Sequence, residues 1–177
     1  MTHLNELSYQ HISKVVAVLP NDISTDIIYP GRFMATVLPS ETPQYCFADM
    51  TELNKRLKNK EISPNSVIVA GANFGCGSSR EQAVSAIKGY ELVIVAKGFS
   101  RIFLQNSINL GLRTIVCPAI EAAEGDELEI LPDKVVNVTK GKSFQIEPLP
   151  KARQAIVDAG GLIPYTRKRL LERHSFK

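Results

Sequence analysis

The fold of this chain is decided by residues 71–88, which read GANFGCGSSREQAVSAIK. An apolar run at residues 67–70 precedes them and predicts a buried strand. The glycines at 71, 75 and 77 then allow a tight turn and a close approach of the backbone to a ligand. Beyond Arg80, the spacing of Ala83, Val84 and Ile87 predicts an amphipathic helix. The stretch is therefore predicted to form a strand, a glycine-rich turn and a helix.

The turn before this helix has the properties of an anion-binding loop. Its backbone N–H groups are free to point toward one place, where the helix dipole favours negative charge. Arg80 adds a planar guanidinium that matches a carboxylate or a phosphate. The loop has neither the lysine of a GK[ST] motif nor GxGxxG spacing, so it suits a small polycarboxylate better than a nucleotide.

Ser78 admits two interpretations. With Glu81 three residues later it fits a capping box, in which its hydroxyl only caps the helix. It could also be a catalytic base, because the loop N–H groups, the helix N-terminus and Arg80 could stabilise its alkoxide. The residues by themselves leave both interpretations open.

Strands alternate with helices up to Pro118. The predicted strands lie at residues 15–19, 67–70, 92–96 and 112–116, and the predicted helices lie at residues 44–60, at 81–88 before a C-cap at Gly89, and at 99–110 before Gly111. This alternation predicts a parallel α/β sheet. Because loops at the carboxyl ends of parallel strands converge, Thr25-Asp26, Ser78-Ser79-Arg80 and residues 97–101 are predicted to meet.

After Pro118 the pattern changes to short strands. They are predicted to be antiparallel, at residues 128–131, 135–138 and 144–146, and a helix at 150–159 is predicted to stop at Gly160-Gly161. The basic tail at 165–177 is predicted to be a solvated terminal helix rather than a nucleic-acid contact. No linker divides the chain, so one domain over residues 1–177 is predicted, with its core at about 14–160.

Composition narrows the functional classes. The chain has 177 residues, of which 44% are hydrophobic, and a net charge of +3. This length can bury a substantial core, and the charge is too small to argue for nucleic acid. No apolar run approaches the roughly 20 residues of a membrane-spanning helix, and the polar N-terminus does not resemble a signal peptide. A globular cytoplasmic protein without a nucleic-acid or membrane partner is expected.

No metal site is predicted within the chain. The cysteines are odd in number, widely spaced and without a CxxC pair, which suits a reducing compartment: Cys46, Cys76 and Cys117. The histidines lie near the termini, away from every motif: His3, His11 and His174. A histidine metal site and a Ser-His-Asp triad are therefore not expected.

The polar loop after the first strand, residues 21–33, reads NDISTDIIYPGRF and shows no helical period. Loops after buried strands commonly carry functional groups. The residues alone favour a simpler interpretation, in which Asp22 and Asp26 accept backbone N–H groups of the loop itself.

Two stretches resemble the swivelling domain of the aconitase superfamily. One comprises residues 71–83 with residues 97–103 and Asn106 downstream, and the other is residues 21–33. The resemblance covers about residues 14–160, and the length is similar to that of the separate small subunits of its isopropylmalate dehydratase branch. It implies an α/β fold of the three-layer β/β/α swivelling type, in which a parallel-sheet core carries a small antiparallel section.

The resemblance also implies a shared active site. The chain would be part of a hydro-lyase or isomerase of malate-type dicarboxylates, as in leucine biosynthesis. It would be active only with a separate large subunit, in a heterodimer or heterotetramer. That partner would carry a [4Fe-4S] cluster, and this chain would supply no metal ligand.

The family's functional residues match named positions here. Ser78 matches the serine base that removes a proton from the carbon next to a carboxylate. Arg80 matches the arginine that binds the substrate carboxylate and steadies the alkoxide, and Ser79 matches a second polar contact. Asp26 matches a carboxylate that orients an acid/base group of the partner, with Thr25 beside it as a substrate contact. In this light Cys76 is a loop residue.

One departure bears on the substrate. Where the isopropylmalate enzymes carry Tyr-Leu-Arg, this chain has Phe33-Met34-Ala35, and Arg32 stands on the other side of the aromatic residue. Phe33 and Met34 suit an apolar side group such as isopropyl or methyl. Homoaconitate, citraconate or methylmalate, and dimethylmalate remain alternative substrates. A non-catalytic anion-binding module is the alternative of another class.

Overall fold

The computed structural model describes residues 12–174. Its strands are β1 (Ile12–Leu19), β2 (Val67–Ala70), β3 (Val93–Ala96), β4 (Thr114–Val116), β5 (Glu127–Ile130), β6 (Lys134–Asn137) and β7 (Lys142–Gln145). Its α-helices are α1 (Thr25–Ile28), α2 (Thr51–Lys58), α3 (Glu81–Lys88), α4 (Arg101–Leu110), α5 (Lys151–Asp158) and α6 (Leu162–His174). Two 3₁₀ turns lie at Gly31–Phe33 and Thr42–Tyr45.

The strands form one sheet in the order β4-β3-β2-β1-β5-β6-β7. The pairs β1–β2, β2–β3 and β3–β4 are parallel, as the alternation of strands and helices predicted. The pairs β1–β5, β5–β6 and β6–β7 are antiparallel, as predicted for the segment after Pro118. Both sheet predictions are confirmed.

Both faces of the parallel section are covered, which makes three layers. Ile68 and Ala70 of β2 pack into a core shared with α2, α3 and α4. Val67 and Val69 of the same strand face a second core shared with β5 and β6. Because successive side chains of a strand alternate between faces, the four-residue runs of β2 and β3 are buried throughout. The α/β architecture with an antiparallel layer is the expected fold class.

Several element boundaries differ from the sequence predictions. The helix predicted at 44–60 is a 3₁₀ turn followed by α2, because Phe47 adopts a positive φ of 52° that a helix cannot contain. Residues 21–33, which show no helical period, contain α1 and a 3₁₀ turn. Local hydrogen bonds stabilise each of these two elements as a single turn. One turn is too short to show a helical period in the sequence.

The glycines at helix ends behave differently from one another. Gly111 ends α4, as predicted, and forms a left-handed C-cap with φ 73°. Gly89 is the C-cap of α3, as predicted, and it keeps a right-handed φ of −61°. Glycine suits this position because a Cβ would lie 2.2 Å from Pro43 Cγ. Gly160 and Gly161 end α5 with positive φ, as expected.

The basic C-terminal segment forms α6, which begins three residues earlier than predicted and packs against α4 and α5. Its side chains from 166 to 173 are exposed, in agreement with a solvated helix. The last residues of the predicted tail, and His3 and His11, lie outside the described residues.

Candidate active site

Three loops meet at the carboxyl ends of β1, β2 and β3. The segment after β1 runs beside the glycine loop: Gly75 N donates to Ile23 O at 2.7 Å, and Thr25 N donates to Cys76 O at 2.7 Å. On the other side of the loop, Phe74 N donates to Gly98 O at 3.0 Å. The predicted convergence of the three strand-end loops is confirmed, and the sequence-predicted residues Thr25, Asp26, Ser78 and Arg80 come together there.

Two glycines let the central loop pass close to its neighbours. Gly75 has φ 78°, and a Cβ on it would lie 2.1 Å from Phe103 Cγ of α4. Gly77 has φ 96°, and a Cβ there would lie 3.3 Å from Thr25 Oγ1. A side chain at either position would push the loop away from α4 or from Thr25. The glycines therefore fix where Ser78 is presented.

Ser78 is not the N-cap of α3, so the predicted capping box is wrong. The helix begins at Glu81, its N-cap position is Arg80, and no side chain caps it. Ser78 stands two residues before the cap, because the left-handed Gly77 turns the chain there. Its hydroxyl instead lies 3.2 Å from Thr25 Oγ1. The side chain is exposed and is not engaged in capping, which removes the structural alternative for it.

The hydroxyl group of Thr25 contacts three atoms of Ser78. Thr25 Oγ1 accepts a hydrogen bond from Ser78 N at 3.2 Å and lies 3.2 Å from both Ser78 O and Ser78 Oγ. Thr25 itself is buried, with 2% of its surface exposed, at the first position of α1. Its hydroxyl is therefore held in place, whereas Ser78 is an exposed residue.

Asp26 and Arg80 form an ion pair beside Ser78. Arg80 Nη1 donates to Asp26 Oδ1 and also to Tyr29 O at 3.4 Å. Asp26 Oδ1 accepts a second hydrogen bond from Gly31 N at 3.2 Å. The hydrogen bond from Arg80 lowers the pKa of Asp26 below its ordinary value, so the carboxylate is charged at neutral pH. The guanidinium is thereby oriented at the mouth of the loop.

Asp26 makes the local backbone contact that the residues alone suggested and also an ion pair with Arg80. It accepts a hydrogen bond from the backbone N–H of Gly31 in its own loop and another from the Arg80 guanidinium. Asp22 does neither: its Oδ1 accepts a hydrogen bond from Asn73 Nδ2 at 2.8 Å, which ties the first loop to the glycine loop.

Two residues with structural roles at the site carried no assignment from sequence. Ser100 caps α4 and its hydroxyl donates to Gly75 O at 2.6 Å, and its spacing to Phe103 is a signal that could have been used. Asn106 Nδ2 donates to Ser79 O at 3.3 Å. Ser79 itself is exposed, and its contact with substrate stays a prediction.

The residues predicted to meet the side group of the substrate lie on the turn that begins at Gly31. Phe33 is half-buried and stacks on Tyr45, with ring centroids 4.1 Å apart and 13° between the planes. Met34 is half-buried and packs against the core. The buried Tyr29 donates its hydroxyl hydrogen to Phe33 O at 3.1 Å, which fixes the turn that carries both residues. Phe33 and Met34 thus follow Gly31, whose N–H contacts Asp26, while their side chains pack against the core.

Among residues 12–174, no three His, Cys, Asp or Glu side chains are grouped as metal ligands. Cys46 and Cys117 are buried, and burial raises the pKa of both thiols, that of Cys117 to about 11. Within the same range, no helix has the length and hydrophobicity to cross a bilayer.

Comparison with known proteins places these features in a family. Residues 22–119 match the aconitase C-terminal domain. A 3-isopropylmalate dehydratase small subunit of Methanosarcina acetivorans is 41% identical, over 86% of this chain and 94% of its own. An isopropylmalate/citramalate isomerase small subunit of Methanocaldococcus jannaschii is 39% identical, over 86% of this chain and 91% of its own.

A solved structure agrees. A crystal structure described as 3-isopropylmalate dehydratase of Methanocaldococcus jannaschii superposes with a TM-score of 0.82 at 38% identity, covering 94% of this chain and 100% of that one. The shared fold, the matched segment with its Thr25-Asp26 and Ser78-Ser79-Arg80 motifs, and the identity to small subunits over most of the chain agree with one another. The chain therefore belongs to the aconitase C-terminal domain family, in its group of 3-isopropylmalate dehydratase small subunits.

Proposed function

We propose that this chain is the small subunit of a two-subunit hydro-lyase that converts 2-isopropylmalate into 3-isopropylmalate in leucine biosynthesis, by dehydration and rehydration. One observation carries the proposal. The consecutive residues Thr25 and Asp26 contact Ser78 and Arg80 respectively, so that one turn positions an exposed hydroxyl group and a guanidinium group. This is the arrangement that abstraction of a proton next to a carboxylate requires.

Each residue has a distinct part in the reaction. Arg80 binds the carboxylate next to the carbon that loses its proton, and offsets the negative charge that grows there. Ser78 Oγ, as the alkoxide, takes that proton, while the hydroxyl group on the neighbouring carbon receives a second proton from the acid/base group proposed for the partner and leaves as water. Addition of water to the resulting alkene at the other carbon, with return of the proton from Ser78, completes the isomerisation.

A serine can act as a base only if its alkoxide is stabilised. Arg80, the N-terminus of α3 and the Thr25 hydroxyl are the groups placed to do this. Thr25 Oγ1 can turn its hydrogen from Ser78 O toward Ser78 Oγ, since it lies 3.2 Å from each. Ser79 supplies a second polar contact to the substrate in this proposal.

The remaining chemistry belongs to a partner. We assign the [4Fe-4S] cluster to a large subunit, because the donor groups in residues 12–174 do not form a ligand set. A cluster iron would supply Lewis-acid assistance to the leaving hydroxyl when bound there. Asp26 would orient an acid/base group of that subunit with the carboxylate oxygen that Arg80 does not engage. We place the chain in the cytoplasm, because its three free cysteines suit a reducing compartment.

A second candidate substrate has its own support. The relative from Methanocaldococcus jannaschii is named for citramalate as well as isopropylmalate, and these substrates differ in the size of an apolar side group. Phe33 and Met34 offer an apolar edge for either group. Homoaconitate- and dimethylmalate-type substrates complete the panel to be assayed.

The decisive experiment mixes this chain anaerobically with the large subunit of the same organism and follows the alkene intermediate by ultraviolet absorption. We expect no turnover by this chain alone and turnover by the mixture. Ser78→Ala should lower kcat by about 10³-fold, since the proton acceptor is lost, without changing co-elution of the subunits. Ser79→Ala is the matched control, and its kcat should fall by a smaller factor. Normal turnover by Ser78→Ala would refute the mechanism. Binding of malate without any stimulation of the partner would indicate a non-catalytic anion-binding module.

A further inference from the structure

Helix α4 contacts the glycine loop at two points, one on each side of Ser78. Ser100, the N-cap of α4, donates a hydrogen bond from its Oγ to Gly75 O at 2.6 Å. Further along the same helix, Asn106 Nδ2 donates to Ser79 O at 3.3 Å. The exposed serine that is proposed as the base therefore lies between two hydrogen bonds from one helix.

The two halves of the loop are held to different extents. In the first half, Gly75 is buried, and its N–H donates to Ile23 O at 2.7 Å in addition to the contact from Ser100. In the second half, Ser79 is exposed. Within the part of the chain that the structure describes, the side chain of Asn106 is the only one that hydrogen-bonds the Ser79 backbone. The backbone at Ser79 therefore depends on this one side chain, whereas the first half of the loop is held from both sides.

The contact with Ser79 O also orients the backbone of the next residue, Arg80. A trans peptide unit is planar, so its C=O and N–H groups point in opposite directions. Because Ser79 O accepts a hydrogen bond from Asn106 on α4, the N–H of Arg80 points away from that helix. Arg80 is the N-cap of α3, and no side chain caps this helix, so the peptide before Arg80 depends on Asn106 for its orientation.

Arg80 is consequently held at both ends. Its guanidinium donates to Asp26 Oδ1, while its backbone follows the peptide that Asn106 contacts. Ser78 comes one residue before that peptide, and its own N–H donates to Thr25 Oγ1 at 3.2 Å. Three contacts thus set the distance between the proposed base and the carboxylate-binding group, and Asn106 supplies the contact that lies between these two residues.

We infer that Asn106 is a positioning residue: it fixes the peptide that joins Ser79 to Arg80, and thereby the placement of the proposed base relative to the guanidinium. This inference rests on the proposed function and deepens it. The hydrogen bond lies at the surface, where water can replace the amide, so its contribution to folding is small. Misplacement of reacting groups by about 1 Å, in contrast, can lower a rate by about 10²-fold. Loss of the contact should therefore lower the rate without lowering the stability of the chain.

The kinetic test uses the reconstituted two-subunit enzyme with 2-isopropylmalate. Asn106→Leu keeps the size of the side chain and removes the donor, so kcat should fall by about tenfold or more, while KM and the urea midpoint stay near the wild-type values. Asn106→Gln restores the amide at a half-buried position and should recover most of the wild-type kcat. Asn109→Leu is the matched control on the same helix, because Asn109 Oδ1 accepts a hydrogen bond from Gln105 Nε2 instead, and its kcat should be unchanged. A smaller fall in Asn106→Leu, no recovery in Asn106→Gln, or a urea midpoint that falls along with kcat overturns the inference.

The second test uses the full chain alone and needs no turnover. NMR relaxation of the backbone nitrogens should give order parameters of about 0.85 for Ser79 and Arg80 in the wild type and in Asn109→Leu, and below about 0.6 in Asn106→Leu. Low values already in the wild type, or values that do not fall in Asn106→Leu, overturn the inference. A reconstituted wild-type enzyme that does not turn over 2-isopropylmalate would refute the proposed function, whereas the relaxation measurement would still decide whether Asn106 holds the peptide.

Discussion

Thr25 Oγ1 lies 3.2 Å from Ser78 Oγ, although the two residues are 53 positions apart in the chain. Thr25 is buried at the start of α1, whereas Ser78 is exposed in the glycine loop after β2. One strand end thus presents a fixed hydroxyl to the proposed base on another. The first prediction tests this contact.

Replacing Thr25 by valine keeps the shape of the side chain and removes its oxygen. We expect kcat of the reconstituted enzyme to fall by about 10–100-fold, because the alkoxide of Ser78 loses a hydrogen-bond donor. The free energy of unfolding should fall by about 1–3 kcal/mol, because Ser78 N also loses its acceptor. Steady-state kinetics and urea denaturation measure the two effects. Thr25→Ser retains the oxygen and should keep most of the wild-type kcat. Equal kcat values for Thr25→Val and Thr25→Ser would argue against stabilisation of the Ser78 alkoxide by Thr25.

The second prediction concerns the close approach of the glycine loop to α4. Gly75→Ala would place a Cβ 2.1 Å from Phe103 Cγ at a positive φ, so both a clash and backbone strain are introduced. We expect the free energy of unfolding to fall by about 2–5 kcal/mol, measured from the shift of the urea midpoint. Gly125→Ala is the matched control, since its φ is 91° with no atom within 4 Å of the added Cβ. Gly125→Ala should lose only the unfolding free energy that backbone strain costs. An equal loss of unfolding free energy in both variants would show that the close approach of residue 75 to Phe103 is unimportant.

The third prediction concerns a lysine that joins three helices. Lys88 Nζ at the end of α3 donates to Leu110 O at the end of α4 and to Gly160 O after α5, the latter at 2.9 Å. Partial burial lowers the pKa of its ammonium. Lys88→Met should cost about 1–3 kcal/mol of unfolding free energy, because two helix-end carbonyls lose a charged donor. The exposed Lys58→Met at the end of α2 serves as control and should change stability by less than about 0.5 kcal/mol.

The fourth prediction is a pH dependence of stability from Asp126. Its Oδ2 accepts hydrogen bonds from Ala123 N and Asn137 Nδ2, each at 2.8 Å, and lies 3.0 Å from Lys140 Nζ. These contacts, the backbone hydrogen bond first, lower the pKa of Asp126 from 3.8 to about 2.

Because the folded pKa is the lower one, the stabilisation is complete above pH 3.8 and is lost as the pH falls toward 2. Wild type should therefore exceed Asp126→Asn in urea midpoint at pH 6, and this difference should shrink between pH 4 and 2. A difference that stays constant over that range would contradict the lowered pKa.

Much of the fold could be predicted because it depends on local patterns. The apolar runs at 67–70 and 92–96 are short, β-branched and bounded by polar turns, so β2 and β3 were placed within a residue. The convergence of the strand-end loops followed from parallel topology alone. The predicted helix at 44–60 failed because the positive φ of Phe47 is imposed by tertiary packing of a fully buried ring, which no local pattern reveals.

By itself, the sequence determined the chemistry that the chain can present: a serine, an arginine and an aspartate on loops after strands, with no metal-ligand motif beside them. Only the tertiary structure decided how these groups are used. It released Ser78 from helix capping and placed Thr25 against it, paired Asp26 with Arg80, and bound Arg32 to Asp49. The physical reason is that hydrogen bonds and ion pairs depend on distances of about 3 Å, and contacts between residues 17 to 54 positions apart are set by the packing of whole strands and helices.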